Sequence, residues 1–384
     1  MPPEEYREQI FTNLPHARLT TETIPLADAL GRTLGADAIA KLSVPPFDNS
    51  AMDGFAVRRE DFTGEGPWEF AVIQEVAAGD IGAQIDHDDD LPIAARIMTG
   101  APVPEWADAV VKVEDTDAPR GASKMPRRVL IEAGTVLRPR ALSALASIGY
   151  GEVEVVLRPR VAILATGSEL AAPGEKPGPG MIPDSNSTLL ALLVREAGGE
   201  PTIARVADTA EEFDRALPAD ADLIVTSGGV SMGAFDPVKE YGLAHGWTFE
   251  KVAMQPGKPQ GHGMAGDVPL IALPGNPVSV AVSFRLFVRP FMARLLGQPD
   301  DLADFAPKCP VARAGASWST PAGRRQFLAA KLIRGADGDV VVPVHELGSG
   351  SHLVATMHAA DVLAVVNADV EGVSEGDLVK VIDF

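Results

Sequence analysis

Four short loops hold the residues whose types and spacing suit chemistry. Thr166-Gly167-Ser168-Glu169 ends one apolar run, and Ser227-Gly228-Gly229-Val230-Ser231-Met232-Gly233 ends another before leading to Asp236. Pro256-Gly257-Lys258-Pro259 and Pro274-Gly275-Asn276-Pro277 complete the set. Glycines let a backbone approach a phosphate closely, and a helix starting at Pro277 would add amides and a positive dipole end. Lys258, confined between prolines, is one cation held in a restricted loop. Asp184, Asn186, Asp208 and Asp236 supply oxygens suited to Mg2+, a base or a ribose. Any one of these loops also reads as a plain chain turn, since isolated Gly-rich loops are weak signals. A ligand site is favoured when all four fall at equivalent ends of one parallel sheet.

A fifth segment, Phe47-Asp48-Asn49-Ser50-Ala51-Met52-Asp53-Gly54, sets acids, an amide and a hydroxyl beside apolar residues. Its plain alternative is an Asp- and Asn-rich turn. His262, between Gly261 and Gly263, is expected in a loop rather than as a base. His345, His352 and His358 are assigned no chemistry. No Walker A segment, GxGxxG fingerprint or HExxH helix occurs, which leaves P-loop, dinucleotide and zincin readings unsupported.

The elements needed to position these residues can be read from the apolar spacing. VAILATG, TIARVA, ADLIVTSGG and VPLIALPG are short strand-like runs alternating with helix-like segments. One helix is expected from Asn186 to Gly198, a second behind the Thr209–Glu212 capping box, a third over Asp236–His245 and a fourth from Pro277. That alternation predicts a doubly wound α/β domain. Residues 68–137 and the tail from about 301 have β texture, and residues 3–14 have helical spacing.

Composition narrows the partners. The chain has 384 residues, 33 Lys+Arg against 53 Asp+Glu and a net charge of −20, a field that repels nucleic acid and anionic membranes. Cys309 is the only cysteine, so a disulfide framework or a multi-cysteine metal site is excluded. The amino terminus is acidic where a signal peptide would be basic and then apolar, and no apolar run approaches the ~20 residues of a membrane span. A cytoplasmic location is expected.

At the quoted loops, and from about Ile24 onward, the sequence resembles the molybdopterin molybdenumtransferase (MoeA and gephyrin E-domain) family. The stretches that carry the likeness are PPFDNSAMDGFAVR, RIMTGAPVPEWADAVV, ATGSEL, MIPDSNS, TSGGVSMGAFD, MQPGKPQGHG and ALPGNPVSV. AGRRQFLAAKL and GSGSHLVATMHAADVLAVV add to it in the tail. The resemblance implies four domains: a discontinuous linker domain (1–42 and 134–158), a small β domain (43–133), an α/β molybdopterin-binding domain (159–300) and a C-terminal β domain (301–384). It implies insertion of molybdate into adenylylated molybdopterin with release of AMP, assisted by Mg2+, in a homodimer whose sites lie between subunits. Asp53 and Thr99 would act from the small domain, and Glu169, Asp208 and Asp236 would hold the cation. Asp53, Glu169, Asp236 and Lys258 are the implied catalytic set. Thr99, Asp184, Asn186, Ser227, Gly228, Gly229, Gly257 and the Pro274, Gly275, Asn276 and Pro277 turn would bind substrate, with Arg324 and Ser351 on the opposing tail. Transient contact with the molybdopterin adenylyltransferase and with molybdoenzymes is also implied. The alternatives are a non-catalytic paralogue that binds molybdopterin or its adenylate, and a different enzyme built on the same α/β domain.

The chain departs from the family pattern in two places. The Arg-x-x-Gly-Glu-Asp segment expected after Glu114-Asp115-Thr116 is replaced by a stretch keeping only Arg127-Arg128, and Gln255 stands where a lysine is usual. The lost acidic pair predicts a raised Mg2+ requirement.

Overall fold

The structure is a computed structural model that describes residues 1–42, 47–64, 68–80, 92–112, 129–206, 209–230, 237–299, 310–336, 338–345 and 354–384. Asp208, Asp236, Ser351, Cys309 and the segment containing Arg127-Arg128 lie outside these residues.

The apolar runs form a six-stranded sheet in the order Glu200–Val206, Arg160–Thr166, Leu223–Ser227, Val268–Leu273, Pro259–Ala265, Thr248–Lys251. The first four are parallel and the last two antiparallel. Val161, Ile163, Val225 and Ile271 bury one face against Leu190, Val194, Phe287 and Phe291. Ala162, Leu164, Ile224 and Leu270 bury the other against Phe213, Val238, Tyr241 and Trp247. Burial on both faces is why these runs are continuously apolar rather than alternating.

Helix starts follow the expected chemistry. Asp184 caps Ser185–Glu196 by accepting from Ser187 N, and Thr209 caps Ala210–Ala216 by accepting from Glu212 N. Asn276 caps Pro277–Ser283 by accepting from Val278 N. That helix continues through a π turn at Phe284–Val288 into Arg289–Leu295.

His262 is a correction to the expected loop. It lies in the strand Pro259–Ala265 and is 1% exposed. Its flanking glycines leave room for rings: a Cβ on Gly261 would stand 2.9 Å from Phe249, and one on Gly263 would run into Trp247. Asn13 Nδ2 donates to His262 Nε2 at 3.0 Å, leaving Nδ1 3.4 Å from Tyr6 Oη. Burial pushes this imidazole down to about 4. The unfolded ring titrates near 6.5, so the unfolded chain binds a proton that the folded chain refuses between those values. Stability from the neutral ring is whole above pH ~6.5, falls as the pH drops toward ~4 and then levels off, about 3 kcal/mol in total. Urea unfolding at pH 7.5 and pH 4.5 checks this, with His262→Gln expected to lose less stability between the two than the native chain.

The remaining elements frame the sheet. Thr21–Pro25 pairs with Glu152–Val156, and Ala38–Ile39 with Val129–Ile131, so the chain before and after the small sheet is stitched together. The small sheet has the order Ala71–Val76, Ile93–Ile97, Gly54–Val57, Ala109–Lys112. In the tail, Arg325–Ile333, Val340–Pro343, Val311–Ala314, Leu378–Asp383 and Val362–Val366 pair in succession, and the last closes on the first as a small barrel. Met254–Gln255 adds to this barrel in parallel, with Gln255 opposite Gln326. Gln255 is therefore part of the junction between the α/β sheet and the tail. The helix Pro3–Asn13 spans the same junction: Tyr6 and Ile10 are fully buried in the α/β core, while Glu4 pairs with Arg325 at 2.9 Å.

Candidate functional site

The parallel strands end at one edge of the sheet, and their loops are locked together there. Thr226 Oγ1 donates to Gly228 O at 3.1 Å, and Gly228 N donates to Leu273 O at 3.1 Å. A Cβ added to Gly275 would sit 3.5 Å from Gly228 Cα, so two loops approach through backbone alone. Asn186 Nδ2 donates to Gly275 O at 2.7 Å, which ties the start of helix Ser185–Glu196 to the last loop.

These contacts enclose a cleft of about 240 Å3. Of the expected residues, Glu169, Asp184, Asn186, Ser227, Gly228, Gly229, Gly275 and Pro277 line it. Thr166, from the first of the Gly-rich loops, lines it as well, as do Leu170 and Ile182, which carry no chemical signal in the sequence. Gly167, at φ +143, allows the Glu169 carboxylate to fold against its Cα, because a Cβ there would lie 2.6 Å from Glu169 Oε2. Asn186 Oδ1 is buried without a hydrogen-bond partner among the described residues, as is Ser187 Oγ. An orphaned amide oxygen in a cleft wall is a place for a ligand donor or a cation.

Other expected residues stand around this cleft rather than in its lining. Asn276 uses its side chain as a helix cap, and Pro274 is buried behind the turn. Gly257, at φ +92, is pinned by Gln260 Nε2, which donates to Gly257 O and to Ser283 Oγ at 2.7 Å each. The antiparallel register sets Gly261 opposite Ala272, which brings exposed Lys258, just before that strand, to the edge where Val268–Leu273 ends. Asp184 is an inward group: its side chain is fully buried, caps the helix and lies 3.5 Å from Arg205 Nε.

The small sheet presents a second constellation. Thr99 donates to Asp53 Oδ1 through both its amide (2.7 Å) and its hydroxyl (2.8 Å). These bonds, the amide first, hold the Asp53 carboxyl below its usual range, so it is anionic at neutral pH. Asp53 Oδ2 has no hydrogen bond among the described residues. Arg324 lies in a tail turn, its amide donating to Pro321 O. Neither Asp53, Thr99 nor Arg324 lines the cleft of its own chain.

A mostly parallel α/β sheet with convergent Gly-rich loops, joined to a small sheet and a barrel, defines a multidomain α/β protein with a loop-lined cleft at the strand ends. Three family models match the chain: the MoeA N-terminal region (domain I and II) over 1–149, a probable molybdopterin binding domain over 162–294, and the MoeA C-terminal region (domain IV) over 311–384. The chain is similar to molybdopterin molybdenumtransferase 2 of Mycobacterium tuberculosis, 39% identical over 94% of this chain and 95% of that protein. It is 31% identical to molybdopterin molybdenumtransferase of Haemophilus influenzae, over 99% and 98% of the two chains. The molybdopterin biosynthesis MoeA protein of Pyrococcus horikoshii superposes with a TM-score of 0.80 at 26% identity, covering all of both chains. The chain belongs to the molybdopterin molybdenumtransferase (MoeA) family, a family of enzymes of molybdenum-cofactor biosynthesis.

Proposed function

We propose that the chain converts adenylylated molybdopterin and molybdate into molybdenum-loaded molybdopterin and AMP. The observation that carries this reading is the convergence of three strand-end loops and the helix cap region on one cleft. Their backbone groups suit a phosphate-bridged ligand. The substrate's dithiolene supplies sulfur to the metal, so the protein needs no thiol of its own.

The lining fits Mg2+: it offers the Glu169 carboxylate and the orphaned Asn186 Oδ1, and no His, Cys, Lys or Arg among the described residues. Among those residues no group of three or more His, Cys, Asp or Glu is gathered as a metal site. Glu169 would hold the cation together with Asp208 and Asp236, and bound Mg2+ would polarise the phosphoryl oxygens. Asn186 and the loop amides orient the phosphates, and Lys258 meets the anionic ligand from the far side of the sheet edge. Asp53, kept anionic by Thr99, acts from the small sheet of a partner chain in a homodimer, with Arg324 and Ser351 on the opposing tail. Transient contact with the preceding adenylyltransferase and with acceptor molybdoenzymes follows from the same reading.

AMP release from adenylylated molybdopterin, titrated with Mg2+, tests the reaction. The expected outcome is turnover that saturates only at high Mg2+, and a lower requirement once an Arg-x-x-Gly-Glu-Asp segment is grafted after Thr116. Bound adenylate with no AMP at any Mg2+ level would show a binding protein instead. Lys258→Ala should weaken molybdate or adenylate binding roughly tenfold, the scale of one charge-assisted contact. It should leave the melting temperature unchanged, since an exposed lysine adds little to stability. Calorimetry on the folded variant checks both.

A further inference from the structure

The cleft presents an electrostatic problem that the residues assigned above do not solve. Its described lining contains two carboxylates, Glu169 and Asp184, and no cation, in a chain whose net charge is −20. An anionic ligand approaching this edge meets like charge at long range and again at the wall. Lys258 immediately precedes the fifth strand of the sheet order, at one side of the cleft.

The opposite side has a cation. Arg205 sits near the end of the edge strand Glu200–Val206, in register with Ala165 of the neighbouring parallel strand. Its Nε lies 3.5 Å from Asp184 Oδ2, and its side chain is 44% exposed while that of Asp184 is fully buried. Asp184 is the only described partner of the Arg205 side chain. Asp184 cannot move, because the same carboxylate caps the helix through Ser187 N at 3.0 Å. A guanidinium has five N–H donors in a planar fork, and one suffices for Asp184. The other donors are on a half-exposed guanidinium whose Nε is held beside Asp184, a residue of the cleft lining, although Arg205 itself is not part of that lining.

We propose that Arg205 is a ligand-binding residue that grips phosphoryl oxygens of the nucleotide part of the substrate. This rests on the reading of the cleft as a nucleotide site. Asp184 aims the guanidinium through Nε, and the terminal nitrogens form forked bonds to phosphate, the geometry for which arginine is suited and lysine is not. Arg205 and Lys258 stand four strands apart in the sheet, about 19 Å at the usual spacing. A single phosphate therefore meets one of them, and an extended diphosphate-bridged ligand can meet both.

The test is calorimetry with ADP and, separately, adenosine, on native protein, Arg205→Gln and Arg205→Lys. ADP affinity should fall roughly tenfold or more in Arg205→Gln, as expected for a lost charge-assisted fork. Adenosine affinity should stay at its native value while the melting temperature falls, because the buried Asp184 carboxylate loses its cation. Arg205→Lys should recover only part of the ADP affinity. Equal ADP affinity in native protein and Arg205→Gln would overturn the assignment while leaving the nucleotide reading intact. Parallel loss of ADP and adenosine would overturn it too, making Arg205 a mere support for Asp184. Native protein that binds neither ligand would remove the nucleotide reading and this proposal together. If Arg205→Gln does not fold, Arg205→Lys decides: native ADP affinity in that variant contradicts the forked contact.

Discussion

Neither an Asp53→Asn chain nor a Glu169→Gln chain should release AMP at more than about a hundredth of the native rate, the usual loss when one positioned catalytic charge is removed. An equimolar mixture of the two should nevertheless regain activity. Asp53 and Thr99 form a preorganised anion on the small sheet, and neither lines the cleft that holds Glu169 in the same chain. If the complete site combines the small sheet of one chain with the cleft of its partner, each mixed dimer has one site with both residues intact. Random exchange makes half the dimers mixed, so the mixture should reach about a quarter of native activity. Sedimentation across a wide concentration range must show the dimer in the same samples. An inert mixture of dimers, or a fully active monomer, would contradict the shared site.

Gly229→Ala should disable the protein by a different route. Gly229 has φ +87, and a Cβ there would run into the side chain of Val238, which is fully buried at the start of helix Pro237–Ala244. The left-handed backbone costs an L residue ~1–2 kcal/mol, and overpacking adds ~1–3 kcal/mol. The sum, about 2–5 kcal/mol, corresponds to a melting temperature lowered by roughly 5–15 °C in a domain of this size. The neighbouring loop provides the control. Gly275 is not in the left-handed region, and its added Cβ would meet Gly228 Cα at an ordinary 3.5 Å. Gly275→Ala should therefore melt as the native chain does while binding ADP less well, because the new methyl group stands between two loops of the cleft. Equal melting temperatures for Gly229→Ala and the native protein would show that the loop has another conformation.

Local physics made much of this architecture legible in the sequence. The runs VAILATG, ADLIVTSGG and VPLIALPG read as buried parallel strands because both faces of their sheet are covered. The Thr209–Glu212 capping box was readable because a cap uses residues three apart. Four Gly-rich loops at strand ends pointed to one edge, and three of them line the cleft.

Long-range contacts were harder to read. The Asp53–Thr99 bonds join residues 46 apart, so the pairing left no trace in the sequence; the family resemblance implies only that both residues act from the small domain. The glycines beside His262 resemble turn residues, which is why the sequence suggests a loop; they are there for the rings of Phe249, on an adjoining strand, and of Trp247 just before it. Asp184 was read as a free oxygen donor, whereas its carboxylate is committed to a helix cap and to Arg205. Arg205 left no signal of its own, since one arginine in TIARVA gains meaning only from what the fold places beside it.

In the proposed reaction, loss of the adenylyl group is coupled to gain of the metal. A single-turnover reaction with adenylylated molybdopterin, molybdate and Mg2+ measures it, with AMP and pterin-bound molybdenum quantified in the same quenched samples. The two should rise together in equal amounts, and Glu169→Gln should suppress both. AMP formed without bound molybdenum would mark a hydrolase, and adenylate retained with neither product would mark a binding protein; either result would contradict the assignment.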